Sequence, residues 1–464
     1  SMVFASQATV FTVTSPADAG AGTLRQALQD ISNLNTGVGG HVINFNAAMS
    51  ITLSSSLNLN ADTDYTGLTI NGFVDAVAGP DVIITSNNLC GIRGFNINAS
   101  ITNMKFYGLV FQNLEYGIYF NASASGTVNG SEVKGCYFGT NVSGSVIQNG
   151  ICKSGILFIG VSSATIGGPN TNLANGDESS TNNPERCVFG GTCIGAGDNN
   201  RYGAIQLQNG SNNVSIINNY IGSNLAGTAV LPIGNVTNKK PVTQNGISID
   251  DNPSFNAIIS NNVISGAIGS GINIFTNSAS SGHVISGNII GLNPAGTLGY
   301  NVTTPASSFG NQASGIYIRN ASNVTIGGNS AITRNIISAN GGATHTWPDP
   351  GCFASWNDYN QIAVYLEWCT NSKISGNYIG TNALGTSSGI GTNNIFGNRS
   401  GGIKIVGGST GSNNNIIGGA NPGEGNVISG NGYLWGTFAL GSCGSLSGIS
   451  TGHGVVLQYA DCKN

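Results

Sequence analysis

Short runs in which apolar and polar residues alternate recur along the whole chain. Many follow the pattern Gly-apolar-x-apolar, as at 246–249, 271–274 and 315–318. After each of these a second short apolar run follows, and then a third, such as 324–326 and 335–337. A period of two predicts β-strands. Three strands per repeat, with Gly and Asn at the corners, predict an all-β fold, the right-handed parallel β-helix.

The repeats differ in length, and the excess falls mostly in one place. The shortest coil runs from Ile247 to Ile272, which is 25 residues, whereas the coil from Ile316 to Val364 takes 48. Most extra residues follow the third strand and precede the next Gly-apolar run. Loops leaving one corner of successive coils must stack on one side, so we expect a wall beside a groove and a working face there. The insertions are 222–245, 291–314, 338–361 and 380–401.

The N-terminus departs from the repeat. A turn-rich stretch leads into an amphipathic helix predicted over 23–31, with Leu24, Leu28 and Ile31 on one face. A solenoid must cover the open end of its core, and this helix is suited to do so. We expect one domain over 1–464, with a cap at about 14–36, coils over about 40–464, and a C-terminal sorting domain removed.

Composition narrows the class of protein. Charged residues make up 7% of the 464 and the net charge is -4, so no basic stripe for nucleic acid is expected. The 39% of hydrophobic residues and their strict alternation argue against disorder. No run of 18 apolar residues occurs, so no membrane span is predicted, and a monomer is expected.

The chain contains nine cysteines, and eight form pairs that are close in sequence and bracket loops. Loop-stapling disulfides indicate a protein that is secreted or held at the cell surface. Buried free thiols are the alternative, and the sequence leaves the pairing open. The candidate pairs are Cys136/Cys152, Cys187/Cys193, Cys352/Cys369 and Cys443/Cys462, with Cys90 left over.

Three motifs carry a family resemblance that covers nearly the whole chain. They are Thr-Leu-Arg-Gln-Ala-Leu at 23–28, Ile-Gly-Gly at 417–419 followed by 425–431, and Tyr-Ile-Gly-Thr-Asn at 378–382. The chain resembles bacterial exported right-handed β-helix proteins. That resemblance implies the fold and export, but such proteins include polysaccharide lyases, glycoside hydrolases, epimerases and adhesins, so it does not fix an activity.

Pectin-type glycosidases share isolated motifs with this chain. Asp250-Asp251, Gly452-His453-Gly454 and Ile403-Lys404-Ile405 look similar to their Asp-Asp, Gly-His-Gly and Arg-Ile-Lys segments. Here, however, the Lys precedes the His, and the Asp-Asp pair lies about 200 residues before the His, where roughly two dozen are expected for adjacent coils. We therefore treat this match as chance.

Aligning the Gly-apolar strands places two columns of side chains on the outer face of one sheet. We predict that Tyr317 stacks on Tyr365 and that Arg319 lies one rung from Glu367, at a rung spacing of about 4.8 Å. The first column reads Gln206, Ser248, Asn273, Tyr317, Tyr365 and Lys404, and the second reads Gln208, Asp250, Phe275, Arg319, Glu367 and Val406.

These columns and the long loops beside them supply the candidate site. Aromatic rings next to carboxylates and amides suit sugars, because the C–H faces pack on rings while hydroxyls take hydrogen bonds. The candidate catalytic residues are Glu367, Asp358, Arg319, Tyr317, Tyr365 and Lys404. The candidate substrate-binding residues are Asp250, Trp347, Trp356, Tyr359, Trp368 and Phe275.

Two reaction types remain open. A hydrolase needs two carboxyls about 5–10 Å apart, which Glu367 with Asp358 could provide, whereas Asp250 lies three rungs from Glu367, at about 14 Å. A lyase needs a base such as a Tyr or Lys and a cation such as Arg319. A plain tyrosine stack with a structural ion pair fits the same positions.

The sequence therefore predicts an exported polysaccharide-binding protein that cleaves its ligand, as a glycoside hydrolase or a polysaccharide lyase. The alternative is a non-catalytic surface adhesin or structural solenoid. No cofactor is expected; a Ca²⁺ site stays open, but no EF-hand loop supports it.

Overall fold

The computed structural model describes residues 7–75, 79–97, 101–122, 128–169, 185–194, 202–234, 244–251, 254–304, 307–341, 361–407, 411–432 and 453–458. Almost all regular structure in these ranges is β-strand. The α-helix, α1, spans Leu24–Asn33, and a single 3-10 turn spans Thr63–Tyr65.

Three long sheets, here called A, B and C, contain strands that are all parallel. Sheet A comprises Val10–Val13, Val42–Phe45, Thr69–Asn71, Lys105–Tyr107, Glu132–Lys134, Thr165–Gly167, Ser215–Ile217, Ile258–Ser260, Val284–Ser286, Thr325–Gly327, Lys373–Ser375 and Ile416–Ile417. Sheet B comprises Met49–Leu53, Val82–Ser86, Leu109–Phe111, Tyr137–Phe138, Val188–Phe189, Tyr220–Ile221, Val263–Ile264, Ile289–Ile290, Ile336–Ile337, Tyr378–Ile379 and Val427–Ile428. Sheet C comprises Leu57–Leu59, Phe95–Ile97, Ile118–Asn121, Ile156–Ile159, Tyr202–Gln208, Gln244–Asp251, Ile272–Ser281, Ile316–Ser322, Ile362–Glu367, Gly401–Val406 and His453–Gln458.

The chain passes from sheet A to B to C and back to A in every coil, so each strand pairs with its counterparts in the neighbouring coils. This path is a parallel β-helix, which confirms the predicted fold class. Two short pairs lie outside the three sheets: Val128–Asn129 with Val161–Ser162 in parallel, and Tyr300–Asn301 with Asn394–Ile395 in antiparallel fashion.

One continuous hydrophobic core fills the solenoid, because alternate side chains of all three sheets point inwards. Isoleucines from successive coils dominate it. Phenylalanine rings also stack from coil to coil, with Phe138 lying 5.0 Å from Phe111 and 4.6 Å from Phe189. The core is therefore built by repetition, since each coil buries its apolar face only against its neighbours.

Helix α1 covers the N-terminal end of this core, as predicted. Thr23 caps it by accepting a hydrogen bond from the Gln26 amide at 3.2 Å. Leu24, Leu28 and Ile31 are buried in the main core cluster. The apolar face of the helix therefore replaces the coil that is missing at this end.

A ladder of asparagines, buried except for the half-buried Asn426 at its C-terminal end, runs along the corner between sheets A and B. Each side-chain amide before Asn426 donates to the next side-chain oxygen at 2.9–3.0 Å and also to a backbone carbonyl of the preceding coil. Both amide hydrogens are therefore used, which removes the cost of burying them. The ladder consists of Asn219, Asn262, Asn288, Asn335, Asn377 and Asn426.

Four hairpin loops leave the corner between sheets B and C, the side predicted for the wall. They start at Asn141, Asn224, Asn293 and Asn382, whose side-chain oxygens each accept a backbone amide four residues later. Neighbouring loops touch: Leu225 N–H donates to Gly144 O, and Ala383 N–H donates to Gly296 O.

The four hairpins follow strands of alternate coils rather than of every coil. A hairpin has two arms and so needs about twice the rung spacing of 4.8 Å. The described residues directly after the intervening sheet B strands form no such hairpin, and this spacing supplies that height. The distance between neighbouring hairpins along the solenoid axis therefore equals the height of one two-armed hairpin.

The cysteine pairing differs from the predicted one. Cys90 and Cys152 form a disulfide, so the pair Cys136/Cys152 is wrong. Cys136, Cys187, Cys193 and Cys369 are buried free thiols, so neither Cys187/Cys193 nor Cys352/Cys369 is a bridge. These four lie in the core and pack there as small apolar side chains. Cys352, Cys443 and Cys462 lie outside the described residues.

His283 is a buried titratable group at the start of a coil. Its Nδ1 accepts a hydrogen bond from the Ala257 amide at 3.3 Å, and its Nε2 lies 2.6 Å from Ser280 Oγ. An Nδ1 that accepts cannot carry a proton, so the ring is neutral. Burial lowers the pKa of His283 from 6.5 to about 4.

We predict an acid-dependent loss of stability from this histidine. The unfolded chain binds the proton below pH 6.5, but the folded chain only below about pH 4. Stability is therefore full above pH 6.5 and falls by up to about 3 kcal/mol as the pH drops through that window. Denaturant unfolding of wild type and His283→Asn at several pH values tests this. The dependence of the unfolding free energy on pH should be weaker in His283→Asn than in wild type. It should be unchanged in His453→Asn, a substitution at an exposed position. An equal slope in all three proteins would contradict the assignment.

Candidate functional site

The outer face of sheet C carries the two predicted columns in the predicted register. Tyr317 pairs with Tyr365 and Arg319 with Glu367, and the next coil places Lys404 beside Tyr365. On the other side, Phe275 pairs with Arg319 and with Asp250. Residues almost fifty positions apart in sequence therefore become neighbours because the coils stack without a shift at this point.

Tyr317 connects the two columns through its hydroxyl. Its ring stacks on Tyr365, with centroids 5.0 Å apart and planes inclined by 23°. Its hydroxyl donates to Glu367 Oε2 at 2.5 Å. Burial, and then this hydrogen bond to a carboxylate, raise the pKa of Tyr317 well above its ordinary value. Tyr317 is therefore a protonated phenol, fixed as a donor to Glu367.

Arg319 is held by rings rather than by hydrogen bonds. Its guanidinium carbon lies 4.0 Å from the Trp368 ring centre and 4.7 Å from that of Phe275. Its Nε is buried with no hydrogen-bond partner, and Glu367 Oε2 is 3.9 Å away from it. With 27% of its side chain exposed, Arg319 keeps hydrogen-bond capacity for an incoming anion.

Trp368 reaches Arg319 from an unusual backbone conformation. It has a φ of 56°, in the left-handed region that bulky residues rarely adopt. In two other coils the residue that follows the second column has the same conformation and is an asparagine: Asn209 has a φ of 50° and Asn320 a φ of 58°. In the two coils between them the strand continues through this point, at Asp251 and Thr276. Asparagine tolerates this conformation, so tryptophan at the same point stores strain of the kind found at functional sites.

Lys404 ends the first column and Asp250 follows Gln208 in the second, and both are buried. The Lys404 ammonium is 5.8 Å from the Tyr365 ring centre. Asp250 Oδ2 accepts a hydrogen bond from Gln206 Nε2 at 3.1 Å, and Ser154 Oγ donates to Gln206 Oε1. Asp250 lies three rungs from Glu367, so the two carboxylates do not converge.

The predicted residues of the long loop lie outside the described residues. Asp358, Trp347, Trp356 and Tyr359 therefore remain predictions, as does a carboxylate pair between Asp358 and Glu367. The described members, Tyr317, Tyr365, Arg319, Glu367 and Lys404, come together and are called the Tyr317 cluster below.

A second ionic group, on sheet A, was not anticipated from the sequence. The Lys134 ammonium lies 3.2 Å from Glu132 and 3.0 Å from Glu185, and Tyr107 donates to Glu132 at 2.6 Å. The two carboxylates are thus within roughly 6 Å of each other, close to glycosidase spacing. However, Glu185 is only 1% exposed and Lys134 lies between them, so a sugar cannot enter. This group is structural.

Other candidate sites on the described surface are weaker. A depression of about 290 Å³ at the end of sheet B is lined by hydroxyl residues, glycines and Ile390. Within the described ranges, no three His, Cys, Asp or Glu side chains are grouped as metal ligands would be. Across the same ranges, no helix has the length and apolar character needed to cross a bilayer.

Comparison with known proteins found no matching family model and no matching curated protein. Among solved structures, the chain is similar to the Dettilon tailspike protein, with 14% identity, a TM-score of 0.42, and coverage of 97% of this chain and 68% of that one. It is also similar to the A-module of a mannuronan C-5 epimerase from Azotobacter vinelandii, with 12% identity, a TM-score of 0.37, and coverage of 97% and 99%. A surface adhesin of Streptococcus pneumoniae matches at 13% identity and a TM-score of 0.38, with coverage of 86% and 87%.

We predict that Lys134→Met destabilises the fold because it leaves the buried Glu185 without its cation. Breaking a buried pair in this way costs about 3 kcal/mol or more. Denaturant unfolding should show that loss, and the double variant Lys134→Met/Glu185→Gln should recover much of it. Lys105→Met, on the same sheet face, is the control and should stay near wild type. An unchanged stability in Lys134→Met would show that Glu185 does not depend on this lysine.

Proposed function

We propose that this chain binds an acidic polysaccharide on the outer face of sheet C and cleaves it at the Tyr317 cluster by β-elimination. The observation that carries the proposal is Arg319, a partly exposed guanidinium held between two rings, with its buried Nε lacking a partner. A uronate carboxylate would accept hydrogen bonds from the exposed part of the Arg319 guanidinium, whose side chain is 27% exposed and lies 3.9 Å from Glu367.

The same cluster contains a candidate base, Glu367, and a candidate acid, Tyr317, which are connected by a hydrogen bond. In β-elimination, the Glu367 carboxylate would take the proton from the carbon next to the uronate carboxylate. Tyr317 would give its hydroxyl proton to the departing glycosidic oxygen as the C–O bond breaks and a C=C bond forms. The hydrogen bond of 2.5 Å between them would then return the proton from Glu367 to Tyr317. Both groups end in their starting state, so the cycle needs no other reactant.

Hydrolysis is supported less well by the described residues. It needs two carboxyl groups that flank the glycosidic bond. The carboxylates of sheet C for which the structure gives a hydrogen bond are Glu367, from Tyr317, and the distant Asp250, from Gln206. The hydrolase alternative therefore depends on Asp358.

A non-catalytic adhesin is the second candidate. Glu367 already has Tyr317 and Arg319 as neighbours, and a carboxylate with such partners can serve the scaffold alone. Export is part of both proposals, since the Cys90–Cys152 disulfide suits an oxidising compartment.

The test is a panel of polygalacturonate, alginate and the neutral polysaccharide xylan, scored for binding, new reducing ends and the ultraviolet absorbance of unsaturated products. We expect binding of an acidic polymer, with both signals rising together. Glu367→Gln and Tyr317→Phe should each lower the rate by about 100-fold or more, because each removes one proton-transfer group. The matched controls are Glu132→Gln and Tyr107→Phe, which remove the equivalent Tyr–Glu hydrogen bond on sheet A.

The outcomes separate the alternatives. Reducing ends without ultraviolet absorbance would establish hydrolysis and overturn the elimination. Binding without either signal would favour the adhesin. Full activity in Glu367→Gln would show that the reaction does not take place at the Tyr317 cluster.

A further inference from the structure

Sheet C carries a second cluster with the same composition as the Tyr317 cluster. It lies near the N-terminal end and is called the Tyr119 cluster. Each cluster contains two tyrosines, one arginine, one lysine and one glutamate, in a chain with only 15 Lys and Arg and 19 Asp and Glu. The Tyr119 cluster consists of Tyr116, Tyr119, Arg93, Lys153 and Glu115.

The Tyr119 cluster makes the same kinds of contact as the Tyr317 cluster, namely ring against ring and cation against ring, with its tyrosine planes inclined by 58° rather than 23°. Its tyrosine rings lie 5.4 Å apart, and the Arg93 guanidinium carbon is 3.8 Å from the Tyr119 ring centre. The Lys153 ammonium is 5.6 Å from the Tyr116 ring centre. In the Tyr317 cluster the tyrosine rings lie 5.0 Å apart, and the Lys404 ammonium is 5.8 Å from the Tyr365 ring centre. The Arg319 guanidinium carbon is 4.0 Å from a tryptophan ring, that of Trp368.

The glutamates differ between the two clusters. Glu115 lies 3.5 Å from Arg93 and 3.0 Å from Lys153, so it is paired with two cations. Glu367 instead accepts the phenol hydrogen of Tyr317. The Tyr119 cluster therefore has the cations and rings of a contact site, while its carboxylate is committed to ion pairs rather than to a proton relay.

The Cys90–Cys152 disulfide holds the Tyr119 cluster together. Cys90 is three residues before Arg93, and Cys152 directly precedes Lys153. The bridge therefore fixes the two segments that supply the cations. Part of each cation remains accessible, with 29% of the Arg93 side chain and 26% of the Lys153 side chain exposed.

The two clusters lie on one face of the same sheet at a fixed separation. Tyr119 is joined to Tyr317 by five rungs, through Leu157, Gln206, Ser248 and Asn273, which is about 24 Å along the solenoid axis. The intermediate residues are at most 4% exposed, so they would not contact a ligand. A chain that used both clusters would have to bridge this covered stretch.

We infer that the Tyr119 cluster is a second, non-catalytic contact site for the same acidic polysaccharide, so that one long chain binds both clusters at once. The inference rests on the proposed function. The ligand class follows from the partly exposed cations Arg93 and Lys153 and from the tyrosine rings beside them. Binding at one cluster raises the effective concentration of the chain at the other, without any new contact in between.

The test is isothermal titration of wild type with oligogalacturonates and oligomannuronates of graded length at constant ionic strength. We expect the affinity to increase by about 10-fold or more once the oligomer can span both clusters. In Arg93→Gln/Lys153→Met this increase should disappear, so that long oligomers bind only as short ones do. Thermal unfolding of each variant checks that the fold is intact, and Lys153→Met alone should lose part of the increase.

The matched control is Lys105→Met/Arg334→Gln, which removes one lysine and one arginine outside sheet C. Arg334 also lies on a tyrosine ring, 4.1 Å from the centre of Tyr378, so the control tests simple loss of charge. A length-dependent increase that survives in Arg93→Gln/Lys153→Met, or an equal loss in the control, would overturn the inference. An affinity that does not depend on length would overturn it while leaving the proposed function intact. Failure of wild type to bind any oligouronate would instead contradict the proposed function itself.

Discussion

The register between successive coils is the constraint on which the rest of this structure depends. Every coil must place its inward isoleucines on those of the next, and the asparagine ladder from Asn219 to Asn426 allows one alignment, because both hydrogens of each amide before Asn426 are used. A shift by one residue would turn the apolar side chains outwards and leave the amides unpaired. The same register brings Arg319 to Glu367 and Tyr317 to Tyr365. The site therefore needs no scaffold beyond the repeat itself.

Much of the fold could be predicted because the repeat is local. The Gly-apolar-x-apolar runs mark sheet C, and aligning them is enough to pair Tyr365 with Lys404 and Phe275 with Arg319. The capping helix could also be predicted, since Leu24, Leu28 and Ile31 follow helical spacing. The proposal that loops stack on one side needed only the observation that insertions occur at the same corner.

Other features depend on three-dimensional contacts that no alignment of strands shows. Closeness in sequence does not predict the cysteine pairing, because the disulfide joins Cys90 to Cys152 across 62 residues and the thiols of Cys136 and Cys187 face the core. The hydrogen bond from Tyr317 to Glu367 runs diagonally between the two columns, so neither column predicts it. Two features of the sequence point to the sites without any three-dimensional contact. Trp368 stands at a point where two other coils have asparagine, and the Tyr119 cluster gathers ionic and aromatic side chains in a chain with 7% charged residues.

The scarcity of charge makes the position of each ionic side chain informative. In a chain with 7% charged residues, most ionic side chains with assigned contacts are paired within the fold, as Lys134 is with Glu132 and Glu185. Arg319 departs from this rule, since rings hold its guanidinium while its Nε lacks a partner and Glu367 stays 3.9 Å away. A structural ion pair would gain by closing that distance, because a shorter contact is stronger and satisfies the buried donor. Instead, Glu367 makes its short contact with Tyr317, and Trp368 adopts a costly backbone conformation beside Arg319. That arrangement costs stability and leaves one cation ready for an anion, which is more readily explained by ligand binding than by support of the scaffold.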